Sequence, residues 1–294
     1  MPTSALRLSL GMPVYNGEKW LGAAVASLLG QSVEQLEVII SDNASTDGTR
    51  AVAEGMAAAD RRIRYVRNPT NIGVLANYDR VFALSRAPYF KWASCSDLCL
   101  DGFFEKCLEV LERRPDVVLA YPRAIVILAP PDGEEFAQEY DDDLNLTQER
   151  PSERFREYLN RERINNVMNG VIRSSALRET ALNRPLPGSD ISMVAELALR
   201  GKFVEIPDRL FVRRLNRETT GILMERSAAI ALGHPGQPTN VQRIRLHAYR
   251  FVTTLRAPIS LYEKLCVWLY LLRRLAWLRG RVFDKLLHLA RVRR

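Results

Sequence analysis

Cysteine and histidine are scarce: 294 residues hold four cysteines and three histidines. Cys95, Cys99, Cys107 and Cys266 make no CxxC pair and no Cys/His cluster of metal-ligand spacing, which argues against a zinc site. Nor do they form a secreted disulfide framework, so a reducing, cytoplasmic setting is expected. The N-terminal MPTSALRLSL has no charged leader ahead of an apolar core, and no signal peptide is expected. Long hydrophobic runs are missing too. The longest, Leu265 to Leu272, stops at Arg273 and Arg274, far short of the roughly 20 residues that a spanning helix needs. There is no internal repeat or low-complexity tract.

What remains is an ordinary globular balance, 47% hydrophobic and 26% charged. The length suits one large α/β domain with an appendage, or two modest domains. The net charge of +8 is placed unevenly. Residues Arg256 to Arg294 carry ten Lys/Arg against Glu263 and Asp284, which is +8 for the tail and neutrality for the first 255 residues. A basic excess confined to one end gives no reason to expect a nucleic-acid partner.

Short apolar runs alternate with helical patterns through the first half. Strands are expected at Arg7 to Met12 (ending at Pro13), Leu36 to Ile40, Ile63 to Val66, Tyr89 to Trp92 and Val117 to Tyr121. Helices are expected at Glu18 to Gly30, from Thr46, at Val74 to Leu84 and from Asp101 to Arg113. This order indicates a parallel sheet with helices on both faces, whose ligands bind outside the carboxyl ends of the strands. Pro13 to Glu18, Asp42 to Asp47, Asn68 to Gly73 and Ser94 to Asp97 each follow a strand, and should line one rim. From Ala129 to Arg150 the chain turns to Pro, Gly and acids, as in a loop or lid. Helices are then expected at Ser152 to Leu159, Ser175 to Leu182, Ser189 to Arg200, Val241 to Arg256 and Leu261 to Leu289, with strands near Asn166 to Ile172 and Lys202 to Ile206.

The succession MPVYNGEKWL, VIISDNASTDGT, NPTNIG and KWASCSDL resembles the family-2 glycosyltransferases, and the resemblance continues at NGVIRSSALRET and SDISMVAELALRGKFVEIP. It covers about residues 5–215. It implies an inverting, nucleotide-sugar-dependent enzyme with a GT-A fold: α/β, a mostly parallel central sheet flanked by helices, and a helical C-terminal appendage. On this reading residues 1–128 are the donor half, 129–238 the acceptor and catalytic half, and 239–294 a basic amphipathic helical segment. The implied donor is a nucleotide sugar, a UDP-sugar first, with thymidine and guanosine open. The implied acceptor is a glycan or lipid-linked hydroxyl in cell-surface polysaccharide synthesis.

A donor site must hold a planar base, a ribose and a charged diphosphate. The resemblance gives Asp42 the base N–H, with Pro13, Tyr15 and Glu18 framing base and ribose and Asn71 and Gly73 turning beside the nucleotide. Asp42 and Asp47 also suit a helix cap, the preferred reading for Asp47, and Gly73 suits a turn of positive φ. Ser96-Asp97 falls at the family's acidic metal motif, where two acids are usual and only Asp97 is present. Asp97 is the expected ligand for Mg²⁺ or Mn²⁺, with Ser96 a second contact; such an ion takes oxygen ligands and bridges the diphosphate. Asp190 is the implied general base, against a capping role for Ser189 or Asp190. Glu196 is expected to support the site or pair with Arg200. Arg213 and Arg214 follow a strand and would face the diphosphate, or form a solvated basic pair; the histidine that relatives carry near Asn216 is absent.

A relative that binds nucleotide sugars or glycans without turnover is the competing expectation, resting on Ser96 and Asn216. A nucleotidyltransferase normally needs a glycine-rich basic loop, which MPVYNGEKW is not, and a dehydrogenase would place GxGxxG after the first strand. The tail mixes Leu and aromatics with basic residues. It suits an anionic membrane with Trp268, Tyr270 and Trp277 near the headgroups, placing the enzyme at the inner face of the membrane, or a helical appendage against the catalytic domain or a homodimer partner.

Overall fold

The computed structural model describes residues 5–128, 135–184, 188–215 and 240–292, with the side chains of 240–243 and 277–292 outside that description. Strand β1 (Leu8–Val14) is buried on both faces and runs between two parallel neighbours, β2 (Leu36–Asp42) and β4 (Tyr89–Trp92). A third parallel strand, β3 (Ile63–Arg67), lies outside β2. Helices α1 (Glu18–Leu29), α2 (Thr49–Ala59) and α3 (Val74–Ala83) are the crossovers. After the two-residue β5 (Leu98–Cys99) and α4 (Phe103–Arg113) come the long β6 (Val117–Leu128) and its antiparallel companion β7 (Phe136–Tyr140). Helix α5 (Pro151–Arg161), a 3-10 turn at Asn166–Asn169, β8 (Val171–Arg173), α6 (Ser174–Arg178) and α7 (Ser189–Arg200) lead to β9 (Lys202–Leu215). The sheet order is β3-β2-β1-β4-β8-β6-β9-β5, with β7 on β6. Helices α8 (Asn240–Arg256) and α9 (Leu261–Val292) follow.

The expected α/β architecture is present, with antiparallel insertions. β8 pairs antiparallel with both β4 and β6 and so joins the parallel N-terminal strands to the parallel β6–β9 pair. Core residues divide across the sheet. Leu8, Leu10, Met12 and Val14 alternate toward α1 and α4, whereas Phe90 and Trp92 face α3, α5 and α7. All four cysteines are free thiols.

Several boundaries differ from the sequence expectation. β1 runs through Pro13 to Val14 because β4 pairing ends at Gly11–Trp92, so the missing proline N–H interrupts nothing on that side. The acidic stretch expected to be a loop contains β7, while residues 129–134 lie outside the described ones. Asn166–Asn169 is a 3-10 turn rather than a strand, and α6 stops at Arg178. β9 extends nine residues past Ile206, to Leu215. Its Pro207-Asp208 is absorbed by irregular register against β6, where Pro122 pairs with Ile206 but Arg123 with Arg209.

Helix α9 packs on α5 and α8. Glu263 accepts from Ser152 N at 2.9 Å and Arg150 Nε at 3.0 Å, and Tyr270 OH donates to Asn160 Oδ1 at 2.7 Å. Tyr270 therefore faces the protein, edge-on to Phe155, and is not an outward headgroup anchor; Trp268 is partly buried, and Trp277 lies outside the described side chains. Among the described residues no helix is long and apolar enough to cross a membrane.

Gly11 tests the closeness of this packing: a Cβ there would meet Phe90 Cζ at 2.7 Å and Val81 Cγ2 at 2.8 Å. Gly11→Ala is expected to destabilise the protein by about 1–3 kcal/mol, read from urea unfolding.

Candidate active site

The four polar loops after β1, β2, β3 and β4 meet on one rim, and side chains stitch three of them together. Asn16 N donates to Ser45 Oγ at 2.9 Å, Gly17 N to Thr49 Oγ1 at 2.8 Å, and Thr46 N to Asn16 Oδ1 at 2.9 Å. Glu18 Oε2 accepts from Gly48 N at 2.9 Å, and Glu18 N donates to Asp47 Oδ2 at 3.2 Å. Asp47 Oδ1 takes Thr49 N at 3.1 Å from the position before the N-cap, which is Gly48, so Asp47 is not itself the cap of α2. Asn43 Nδ2 donates to Asn71 Oδ1 at 2.8 Å, and Asn43 Oδ1 accepts from Asn68 Nδ2 at 3.0 Å and Ile72 N at 2.9 Å. Beneath them, Asn77 Oδ1 accepts from Ser41 Oγ at 2.7 Å and Asn68 Nδ2 at 3.1 Å. Gly73 has φ +88° and open space where a Cβ would sit, so backbone conformation alone calls for glycine there. Tyr15 projects from this frame, 50% exposed, beside partly buried Pro13.

Asp42 is 0% exposed at the end of β2. Its Oδ1 accepts from Ser45 N at 2.7 Å, and Oδ2 from Tyr65 OH at 2.8 Å and Arg67 Nη1 at 2.6 Å. Burial opposes its charge, but the hydrogen bonds from Ser45 and Tyr65 and the Arg67 charge outweigh that and hold its pKa below 3.8. The Tyr65 phenol moves the other way, to about 12, through burial and its bond to Asp42. Tyr65 and Arg67 stand two apart on β3, with Arg67 in register with Asp42.

A second corner forms where the β4–β5 loop meets the end of β9. Asp97 is buried, and its Oδ1 accepts from Arg214 N at 3.0 Å with Ser96 Oγ at 3.4 Å. Burial raises the Asp97 pKa, opposed by the charges of Arg213 and Lys91 and the Arg214 N–H. The two arginines sit within β9 and diverge. Arg213 is buried and donates to Ile164 O at 2.8 Å; the Arg214 guanidinium lies 4.3 Å from the Trp20 ring centroid. A solvated basic pair is therefore excluded. Asn216 lies outside the described residues. Lys91, also buried, donates to Trp92 O at 3.0 Å and to Asn169 O between the rings of Phe103 and Phe211.

Among the described residues no group of three or more His, Cys, Asp or Glu side chains could hold a metal. One carboxylate and one neighbouring hydroxyl fit a hard cation that arrives with phosphate oxygens and keeps several waters, rather than one caged by protein.

The third corner surrounds Asp190. Gly188, with φ +79°, is the N-cap of α7 and no side chain caps the helix, so Ser189 and Asp190 are not caps. Asp190 Oδ2 accepts from Asn165 Nδ2 at 3.2 Å. Asn165, itself at φ +51°, also receives Tyr158 OH at 2.6 Å. Two further acids gather here. Burial lifts the Asp142 pKa to about 6 against its bond from Asn166 and the charge of Arg213. Burial and then the charge of Asp190 lift Glu162 to about 7. Glu196 is separate: buried, it pairs with Arg200 at 3.0 Å, as expected, and accepts from Ala181 N.

Tyr78 links the corners. Burial raises its pKa to about 12, and Asp97, Arg213 and Asp190 all act on it electrostatically. Asp97 and Asp190, from distant parts of the chain, thus share one neighbourhood, while Asp42 belongs to the rim network. Sequence reasoning missed Tyr65, Arg67, Tyr78, Asp142 and Glu162. The Tyr-x-Arg spacing on β3 was a usable signal, since residues two apart share a face. Nothing in Asp141-Asp142-Asp143 marked the middle acid as buried.

The raised acids give a signed pH dependence. The folded chain keeps the Glu162 proton to higher pH than the unfolded chain, so this contribution is complete below about 4.5 and is lost as pH rises through about 7. Glu162→Gln is expected to melt roughly 2–4 °C above the wild type at pH 8 and level with it at pH 4 by calorimetry.

Comparison with known proteins places this geometry. A family model described as glycosyl transferase family 2 matches residues 9–183. The chain is 32% identical over 111 residues to the putative glycosyltransferase EpsE of Bacillus subtilis, covering 37% of this chain and 40% of that protein. It is 26% identical over 103 residues to an uncharacterized glycosyltransferase of Haemophilus influenzae, covering 35% and 32%. The matches thus span less than half the length of these relatives. Among solved structures, S. aureus TarS 1–349 superposes with a TM-score of 0.60 at 13% identity, covering 89% of this chain and 69% of that one. The mannosyltransferase PcManGT of Pyrobaculum calidifontis, in complex with GDP-Man and Mn²⁺, gives 0.54 at 14% identity, covering 97% and 82%. At those identities the likeness is one of fold, and it agrees with the GT-A architecture. With its family match extending over more than half of its length, the chain belongs to glycosyl transferase family 2.

Proposed function

We propose that this chain is an inverting glycosyltransferase that moves a sugar from a nucleotide-diphosphate donor, UDP-linked first, to a hydroxyl of a glycan or lipid-linked acceptor in cell-surface polysaccharide synthesis. The observation that carries this reading is the run of contacts between the two corners: Asp97 accepts from Arg214 N at 3.0 Å, the adjoining Arg213 donates to Ile164 O at 2.8 Å, and the next residue, Asn165, donates to Asp190 at 3.2 Å. A leaving diphosphate and an attacking hydroxyl must stand on opposite sides of one anomeric carbon, and this neighbourhood offers a cationic corner and a carboxylate corner. Residues 1–128 form the donor half in this reading, 129–238 the acceptor half and 239–294 the helical segment; both boundaries fall at or within stretches outside the described residues.

On the donor side, Tyr15 offers a half-exposed ring for the base beside Pro13. Asp42 is fully buried with acceptor capacity left on Oδ1, and its ion-pair partner Arg67, whose side chain is one-third exposed, is the member of the pair that meets the surface. Glu18, Asn71 and Gly73 shape the rim loops around them. Arg213 supplies the charge-assisted donors of the diphosphate corner, and Arg214, whose side chain lies over Trp20, contributes its backbone N–H to Asp97. Asp97, with Ser96 beside it, would hold Mg²⁺ or Mn²⁺, which neutralises charge developing on the leaving diphosphate; the Mn²⁺ in the PcManGT complex supports that assignment.

On the acceptor side Asp190, oriented by Asn165, takes the proton from the acceptor hydroxyl. The hydroxyl oxygen bonds to the anomeric carbon as the carbon–oxygen bond to the diphosphate breaks. The product has inverted configuration.

A nucleotide-sugar binder without turnover is the second reading, favoured by the single acid Asp97, whose Oδ1 is already engaged by Arg214 N. Transfer and donor-hydrolysis assays with Mn²⁺ across UDP-, dTDP- and GDP-sugars separate the two. Turnover is expected, and Asp190→Asn is expected to lower it by about 10²–10⁴-fold while leaving the melting shift caused by the nucleotide diphosphate unchanged. Binding without turnover in the wild type would select the second reading, and an active Asp190→Asn would remove Asp190 as the base.

A further inference from the structure

The two C-terminal helices wear their amphipathicity the wrong way round for a surface appendage. On α9 the inward side carries Glu263, Tyr270 and Arg274, each bonded to α5 or the residues flanking it. Its solvent side carries Leu261, Tyr262, Leu265, Leu269 and Leu272, which are 46–68% exposed. At 100° per residue these five occupy about a third of the helix circumference. Helix α8 repeats the arrangement: Ile244, Val252 and Leu255, 47–56% exposed, share one face. The two helices pack against each other. Soluble chains rarely leave an apolar surface of this extent uncovered.

The charges around it decide what covers it. Arg245, Arg256 and Arg273 are exposed beside the apolar stripes. From Ile244 to Ala276 the one acidic residue is Glu263, and it is turned inward. The chain's whole net charge of +8 belongs to Arg256–Arg294. A two-fold contact between copies through this face would bring two such segments together with no acids to offset them. A bilayer containing anionic lipid takes the leucines among its acyl chains and offsets the arginines with headgroup phosphates.

We infer that the exposed apolar face of α8 and α9 docks the protein on an anionic lipid surface, lying in the interface without crossing it. The outward residues are aliphatic with Tyr262, and Tyr270 is turned away from them. This surface is independent of the donor site.

Flotation of the full chain with vesicles tests it, comparing phosphatidylcholine containing about one-third phosphatidylglycerol with phosphatidylcholine alone. The wild type is expected to float with the anionic vesicles only, and less in high salt. Leu265→Gln/Leu269→Gln is expected to reduce anionic flotation on the order of tenfold or more. Its melting temperature shows that the fold is kept. Arg256→Gln/Arg273→Gln, which leaves the leucines intact, is expected to weaken binding and flatten its salt dependence. The inference is overturned if the wild type does not float with anionic vesicles, or if the leucine variant floats as well as the wild type. It is also overturned if light scattering shows a dimer that the leucine substitutions dissolve, since the face then belongs to a second copy.

Discussion

Arg213 is the cation on which the interior of the site depends. It is buried at the end of β9, and its charge opposes the burial that raises the pKa values of both Asp97 and Asp142. Isolated carboxylates so placed would be neutralised by burial, because the cost of removing a charge from water is met only by a partner of opposite sign. A single guanidinium, anchored on Ile164 O, lets acids from the β4–β5 loop and from the segment after β7 occupy one neighbourhood. Asp190 completes it from α7, oriented by Asn165 rather than by the helix end. On the acceptor side burial, and after it the charge of Asp190, raises the Glu162 pKa to about 7.

The rim is built differently. Its loops are fixed largely by amides and hydroxyls: Asn43, Asn68, Asn71 and Asn77 bind one another and the backbone around Ser41 and Ile72. Carboxylates join in at Glu18, Asp47 and Asp42, and the three donors on Asp42 make it a fixed point for Tyr65 and Arg67. Such a network orders loops that would otherwise lose entropy on meeting a ligand, so the nucleotide meets a preformed edge.

The alternation of strands and helices was legible in the sequence, and so was the collection of polar loops at one edge, because both follow from local pattern and the parallel-sheet rule. Glu196 with Arg200 was legible for the same local reason. The divergence of Arg213 and Arg214 was not. The strand expected near Lys202 to Ile206 runs on to Leu215 through irregular pairing with β6, and strand alternation then sends neighbouring side chains to opposite faces. Asp142 was hidden among three consecutive acids, and only tertiary packing selects which is buried. The tail was legible in composition but not in orientation: Tyr270 packs inward, and the most exposed apolar residues of α9 are leucines and Tyr262.

The central claim is that the Arg213 corner receives the donor's diphosphate. Titration calorimetry of uridine and UDP against the wild type and Arg213→Gln, with melting curves confirming that the variant folds, tests it most directly. The account predicts that UDP loses roughly tenfold or more in affinity while uridine is unchanged, since one charge-assisted contact to phosphate is worth about 1.5–3 kcal/mol. Equal affinity of UDP for both proteins, or an equal loss for uridine and UDP, would contradict it.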